Sequence, residues 1–408
     1  MRPPLARVFE VRNRGGTFAF SERESAICDI GRIRSLAGMP VRRVRRFTQG
    51  AHDLRSMGVD PVTVLQRIAY LLERQRAPLY RSRAFRRAAE RVRQLGQAEV
   101  RRRMTEGTLL DTPDIGPATA DVIVAVLAGT PPSYLSKLES AAAAHPTSPT
   151  TALRNLLKGD CHVHTDWSDG KSSIEVMAEA ARAIGHAYVA ITDHSPRLTI
   201  ARGLSPERLL RQIDLIRQLN EKLAPFRILT GIEVDILEDG ALDQDPELLA
   251  RLDVVVASVH SKLRMPSDLM TARLLRAIDA PQMDVLGHVT GRIVVGRGRP
   301  ESTFDAERVF QACAARGKAV EINARPERLD PPRRLMRLAN EKGCYFTIDT
   351  DAHAPGQLEW LEYGCERVGD CGIDASRLAN SWSLEQVLAW TAGHRAFRGV
   401  TASHALGG

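Results

Sequence analysis

The sequence predicts an α/β protein in which a closed β/α barrel follows a small all-α domain, and three observations carry that prediction. From Leu156 onward, short apolar runs alternate with amphipathic stretches, the rhythm of a parallel sheet covered by helices. Histidine, aspartate and glutamate recur at the ends of those runs, and the C-terminal rim is where barrels carry their chemistry. Ahead of the runs, residues 61–140 read as a compact helical domain.

In that domain Val64, Ile68, Leu71 and Leu72 keep helical spacing, as do Phe85, Ala88, Ala89 and Val92. Pro113-Asp114-Ile115-Gly116-Pro117 separates two helical runs. Residues 118–127 continue as an apolar helix, which Gly129 and Pro131-Pro132 stop. The Ala-, Pro- and Thr-rich stretch 141–149 opens a linker whose four alanines can extend the preceding helix. The apolar runs of the barrel are Leu156-Leu157, 187–191, 228–234, 254–259, 285–287, 319–322 and 345–348. The helical stretches are 174–184, 206–223, 268–278, 305–316 and 331–342. The expected organisation is an N-terminal extension 1–56, a helical domain 57–140, a linker 141–155 and a barrel 156–408. Residues 1–56 are rich in Arg, Gly and Pro with a short apolar pattern. Met57 stands where translation would begin if that extension were a gene-calling artefact.

A chain of 408 residues holds two or three domains, or one barrel plus a small one. With 43% hydrophobic and 26% charged residues it reads as a soluble globular protein. No apolar run approaches a membrane span and no leader-like segment opens the chain, so a cytoplasmic protein without a membrane partner is expected. Cysteines 28, 161, 313, 344, 365 and 371 form no CxxC pair, so reduced thiols are expected, with Cys161 as barrel packing. The charge is uneven. Residues 1–158 carry 27 Lys and Arg against 14 Asp and Glu, and residues 159–408 carry 30 against 35. Two readings fit this imbalance: a polyanionic partner for the front half, or arginine-rich helices solvating their outer faces.

Seven of the eleven histidines lie between His162 and His353. His162 and His164 are two apart, so on a strand both imidazoles face one side, and Asp351 and His353 repeat the arrangement. His194, Glu233, His260 and His288 each follow or close an apolar run, and Asp169 lies just past the first pair. Taken singly, each is an ordinary core or rim side chain. Jointly, nine ligand-type groups exceed what one tetrahedral ion takes and point to two or three divalent ions. Such a cluster points to phosphate-ester hydrolysis. His186 precedes a strand, on the opposite rim, and His52, His145, His394 and His404 fall outside the pattern.

The stretches GDCHVHTDWSDG, ITDHS, GIEVDIL, ASVHS, LGHVTGR and DTDAH make residues 159–365 resemble the polymerase and histidinol phosphatase (PHP) family of metal-dependent phosphoesterases. RGLSPERLLRQIDLIRQLN and EINARPERLD are most similar to the PHP domain at the C-terminus of bacterial family X DNA polymerases. The resemblance implies a distorted (β/α)7 barrel with three divalent ions, Zn2+, Mn2+ or mixed Fe and Mn. It assigns His162, His164, Glu233 and Asp351 to the first ion and Glu233, His260 and His288 to the second, with Glu233 bridging. Asp169, His194 and His353 go to the third. Cys161 replaces a usual leucine and Val289 a common proline. The resemblance also makes Arg202, Arg292 and Arg325 candidate phosphate contacts. AFRRAAERVRQL and MTEGTLLDTPDIGPATADVI resemble the N-terminal helical domain of the same polymerases, with its helix-hairpin-helix. The hairpin residues Ile115 and Gly116 would offer backbone N–H groups to a DNA phosphate, although Asp114 adds a negative charge where glycine is common.

About twenty residues separate the helical domain from His162, which leaves no room there for a nucleotidyl-transfer domain, so polymerisation is not expected. The implied reaction is attack on phosphorus by a hydroxide that bridges two ions. Three functions follow. The first is a phosphoesterase or exonuclease acting on DNA 3′ ends in repair. The second is a small-molecule phosphomonoesterase of the histidinol-phosphatase type, and the third a DNA-binding scaffold with a vestigial metal site. Nine intact ligand positions argue against the last.

Overall fold

A computed structural model describes residues 60–143 and 150–396, all within one compact unit of the chain. The extension 1–56, Met57 and the linker residues 144–149 lie outside the described residues. Four helices come first: α1 (Pro61–Arg74), α2 (Leu79–Thr105), α3 (Pro117–Leu127) and α4 (Ser133–Ala143). Val64, Leu65, Ile68, Leu71 and Leu72 form the buried stripe of α1, and Phe85, Ala88, Ala89 and Val92 that of α2. Burying each large aliphatic or aromatic side chain contributes about 1.5–3 kcal/mol. Gly96, at φ 76°, kinks α2.

Residues 150–155, expected in the linker, belong to a helix instead: α5 (Thr150–Leu156). Leu153 packs on the barrel core there, so tertiary burial overrides the linker-like composition before it. The first strand also differs from expectation. It is β1 (Gly159–Val163), with His162 inside it, and Leu156 belongs to the helix.

Six strands follow: β2 (Tyr188–Ile191), β3 (Arg227–Asp235), β4 (Val254–Ser258), β5 (Val285–Leu286), β6 (Ala319–Asn323) and β7 (Tyr345–Asp349). Helices alternate with them: α6 (Ile174–Ala183), α7 (Pro206–Leu223), α8 (Pro246–Leu249), α9 (Ser267–Asp279), α10 (Ala306–Ala315), α11 (Arg333–Glu341), α12 (Leu361–Cys371) and α13 (Leu384–Ala396). The seven strands are parallel and in sequence order, a sheet nearly closed as a barrel. The long β3 pairs β2 through Arg227–Thr230 and β4 through Gly231–Asp235.

Closure between β7 and β1 relies on side chains as well as backbone. Val163 bridges Ala352, and the Cys161 N–H donates to Asp349 Oδ1 at 2.8 Å. Thr350 Oγ1 donates to Asp160 Oδ2 at 2.5 Å. The buried Asn380 carboxamide fills the remaining gap, donating to Ile348 O at 2.6 Å and Gly159 O at 3.2 Å. Cys161 is buried against Tyr188, Ala190 and Leu229 as packing, and the five described cysteines are free thiols. No helix among the described residues is long and apolar enough to cross a membrane.

The boundary expected between the helical segment and the barrel is a packed seam. Helix α1 lies against the short 3-10 helix Pro355–Trp360 that follows β7. Tyr70 donates its hydroxyl hydrogen to Glu359, and Arg74 Nε stands 2.7 Å from the same carboxylate. Glu73, 4% exposed, accepts two hydrogen bonds from Arg86 at 2.6 Å and one from the Gly356 N–H at 3.1 Å. Gly356 is glycine because a Cβ there would collide with the Tyr70 carbonyl oxygen and lie 2.9 Å from Glu73 Cβ. Gly356→Ala is therefore expected to lower stability by roughly 1–3 kcal/mol in thermal or denaturant unfolding. Gly369→Ala, on an open stretch of α12 with nothing near the added Cβ, is expected to be neutral or to stabilise by up to about 1 kcal/mol. Equal effects would contradict a tight seam.

Candidate metal centre

Each strand delivers a ligand-type side chain to the C-terminal end of the barrel. His162 lies in β1 with His164 just past it, and His194 follows β2 by three residues. Glu233 is in β3, while His260 and His288 follow β4 and β5. Asp351 and His353 follow β7. The sixth strand supplies Glu321, which the sequence reading passed over. Its signal was a carboxylate inside the otherwise apolar run AVEI.

Glu233 is the hub. Its carboxylate lies 2.8 Å from His194 Nδ1, 2.8 Å from His288 Nε2 and 3.2 Å from His260 Nε2. His162 Nε2 and His164 Nε2 stand at 3.4 and 3.5 Å. Neighbouring imidazole rings pack closely, with centroids 4.3 Å apart for His164 and His353 and 4.5 Å for His164 and His194. Asp169, on the loop after β1, reaches His353 Nε2 at 3.2 Å and His194 Nε2 at 3.6 Å. Asp351 takes a left-handed backbone, φ 51°, which an aspartate tolerates better than most residues. Its carboxylate meets Arg325 at 3.2 Å, Arg328 at 3.1 Å and His164 at 3.4 Å.

A second layer orients these groups. Glu321 Oε1 lies 2.6 Å from His162 Nδ1, and its other oxygen accepts from the His288 N–H at 2.5 Å. Asp235 sits 3.4 Å from His260 Nδ1. Asp193 ties down the loop that carries Asp169, accepting from the Thr165 N–H at 2.8 Å and from Gln212 Nε2 at 2.7 Å. Carboxylates behind imidazoles fix ring orientation and raise ligand basicity.

The electrostatics call for a cation. Burial raises the Glu233 carboxyl, yet His260, His162 and His194 hold it well below its ordinary range. Burial lowers His260, but Glu233 and Asp235 push it up to about 9. His164 goes the other way, down to about 4, through burial and repulsion from His353 and His194. Buried nitrogens without a well-formed hydrogen bond concentrate here: His162 Nε2, both of His164, His194 Nδ1, both of His260 and His288 Nδ1. Buried polar atoms are normally satisfied. Orphaned nitrogens converging on a buried carboxylate therefore fit divalent ions. Three overlapping groups bring ligand atoms within 4.8 Å of one another: His164, Asp169, His194 and His353; His162, His164 and Glu233; His194, Glu233 and His260. Glu233 is common to two of them. His164 joins the set Asp169, His194 and His353.

The three candidate phosphate contacts fare differently. Arg325 lines the cleft over Asp169 and His353 and hydrogen-bonds Asp351. Arg202 spends its guanidinium on the carbonyls of Asp166 and Ser168, bracing the Asp169 loop. Arg292 donates to Arg328 O and Leu329 O and pairs with Glu301, so its donors are taken by the loops after β5 and β6. The hairpin needs a correction too. The Ile115 N–H donates to Thr112 O at 3.2 Å and the Gly116 N–H to Thr119 Oγ1 at 3.0 Å, so neither is free for a phosphate. Asp114 pairs with Arg91 at 3.3 Å, and the Ile115 side chain is buried. His394 and His186 lie outside the cluster, held by Asp284 and Arg154.

The model of the PHP domain matches residues 160–325. The chain is 39% identical over 234 residues to the DNA polymerase/3′-5′ exonuclease PolX of Bacillus subtilis (strain 168), covering 57% of this chain but only 41% of that protein. It is 30% identical over 249 residues to a probable phosphatase of Vibrio atlanticus (strain LGP32), covering 57% of this chain and 93% of the relative. A solved histidinol phosphate phosphatase from Lactococcus lactis, complexed with zinc, L-histidinol and phosphate, is a looser likeness. It has 19% identity and a TM-score of 0.38, and covers 53% of this chain and 94% of that one.

The second layer is testable. Glu321→Gln keeps the shape but removes the charge behind His162, so affinity for Mn2+, titrated against a competing chelator, is expected to fall about 10- to 100-fold. Asp214→Asn, an exposed change on α7, is expected to leave it unchanged, and equal affinities for the two variants would contradict the orienting role. With the domain match and 30% identity across 93% of a probable phosphatase, the chain belongs to the PHP-domain family.

Proposed function

We propose that the chain is a metal-dependent phosphoester hydrolase that acts on the 3′ ends of DNA. The observation that carries the hydrolase reading is the Glu233 hub, one buried carboxylate within 3.5 Å of nitrogens from five histidines. His162, His164, Glu233 and Asp351 would hold one ion, Glu233, His260 and His288 a second, and Asp169, His194 and His353 a third. Divalent ions held there would supply positive charge to neutralise a phosphate and to acidify nearby water at neutral pH.

The protein's own groups do the rest. Arg325, held on Asp351 at the edge of the cleft, offers a fixed guanidinium to a phosphate oxygen. Glu321, Asp235 and Asp193 keep ligands and loops in place, so little reorganisation accompanies charge development on the substrate. The Cys161 thiol is pushed well up by burial and nearby carboxylates, which leaves it inert as a nucleophile.

Two observations favour DNA. A relative at 39% identity is named as a polymerase and 3′-5′ exonuclease, and the cleft over the centre is walled partly by arginines of the helical segment. Identity across 93% of a probable phosphatase favours the second reading, a small phosphomonoester. One assay separates them: purified protein with Mn2+ or Zn2+ is given a labelled 3′-recessed DNA, p-nitrophenyl phosphate and histidinol phosphate. Metal-dependent shortening of DNA is expected, lost by about a thousandfold or more in His162→Ala. Turnover of the small esters alone would support the second reading. Turnover of nothing with either metal would overturn the hydrolase.

A further inference from the structure

The cleft over Asp169 and His353 is built by two parts of the chain. Lys171, Arg325 and Gln357 line it from the barrel, and Glu73, Arg83 and Arg86 face them from α1 and α2. A second, more open depression continues from it, lined only by Arg83, Arg86, Arg87 and Lys171. The three arginines stand at spacings of three and four, so they share one face of the first turns of α2.

Their environments differ. Arg86 is spent on Glu73, part of the seam that fixes α2 over the barrel. Arg83 and Arg87 are exposed and make no ion pair among the described residues, and Lys171 is exposed, its ammonium group donating to the carbonyls of Asp169 and Gly170. Three cations with no ion pair among the described residues thus surround a depression that opens into the metal cleft. Such a groove tracks a phosphate backbone. The hairpin, whose Ile115 and Gly116 N–H groups are already bonded, does not offer the same.

We propose that Arg83 and Arg87, with Lys171, form a phosphate subsite that grips the backbone of a single nucleic-acid strand whose terminal ester lies at the metal centre. This rests on the hydrolase reading for the terminal ester, while the grip itself is a matter of charge. The helical segment then contacts the substrate through α2 rather than through its hairpin. The recognised chemistry is a run of phosphodiesters, so affinity rises with strand length and is insensitive to base sequence.

Two measurements on the full chain decide it. Binding of a 5′-labelled ten-nucleotide strand by fluorescence anisotropy, with a chelator present so that the strand stays intact, tests the grip, and metal-dependent shortening of the same strand tests hydrolysis. In Arg83→Ala/Arg87→Ala the dissociation constant is expected to rise about tenfold or more. The slope of log affinity against log salt is expected to become shallower by about 0.7 for each phosphate that the variant no longer neutralises. Arg182→Ala/Arg251→Ala, the same charge change at exposed positions in the last turn of α6 and just ahead of β4, is expected to bind as wild type. If both double variants bind alike, the subsite is overturned even when hydrolysis is intact. If binding needs Arg83 and Arg87 but no strand is ever shortened, the subsite stands and the hydrolase reading falls. Alanine favours helix at both exposed positions, and unchanged thermal unfolding shows that a binding loss is not a folding loss.

Discussion

A carboxylate that is 1% exposed keeps its charge only if positive groups surround it, because an unpaired buried ion costs several kcal/mol. Glu233 is ringed by five imidazoles, yet burial and neighbouring rings drive His164 toward its neutral form. Divalent ions would supply charge that the rings do not, and holding the rings in place constrains the whole barrel. The imidazoles come from β1, β2, β4 and β5 or the turns just after them, around a carboxylate on β3, so all these strands must end at one level. Side chains alternate along a strand, so a slip of one residue would turn a ligand to the opposite face. Glu321 and Asp235 extend the constraint outward by holding His162 and His260 from behind. The closing contacts of β7 with β1, through Asp160, Thr350 and Asn380, keep Asp351 and His353 in reach of the same centre.

The helical segment is part of this construction. Glu73 joins α1, α2 and the backbone of Gly356, three residues beyond His353, so the position of α2 is tied to the loop that bears a candidate ligand. That tie makes the mouth of the metal cleft a composite, acidic and imidazole-rich below and arginine-rich above. Charge of opposite sense at the two levels suits a polyanion whose reacting phosphate meets metals and whose neighbouring phosphates meet guanidinium groups.

Much of this was legible in the sequence, for identifiable reasons. His162 with His164 and Asp351 with His353 stood out because strand geometry gives i and i+2 one direction. The alternation of apolar runs and amphipathic stretches gave six of the strands within a residue or two. The first strand was misplaced because GDCHV is half polar, and its Asp160 and His162 find the side chains of Thr350 and Glu321 about 160–190 residues away. Glu321 was missed because a lone glutamate in a strand has no pattern of its own. The hairpin misled because a motif names the residues but not the competition for their N–H groups, which Thr112 and Thr119 win. Arg83 and Arg87 belong to an arginine-rich stretch whose charge alone fits either a polyanionic partner or a solvated helix face, and only the fold sets them beside Lys171, a neighbour more than 80 positions distant.

The central claim is that Glu233 is buried and surrounded by imidazoles because it shares divalent ions with them. Crystals soaked in Mn2+ and measured at its absorption edge test it directly. Anomalous peaks within about 2–2.6 Å of a Glu233 oxygen, each also touching histidine nitrogens of the cluster, are the predicted result. Fully occupied Mn2+ sites elsewhere, with no peak beside Glu233, would contradict it and leave the carboxylate as a hydrogen-bonded core acid.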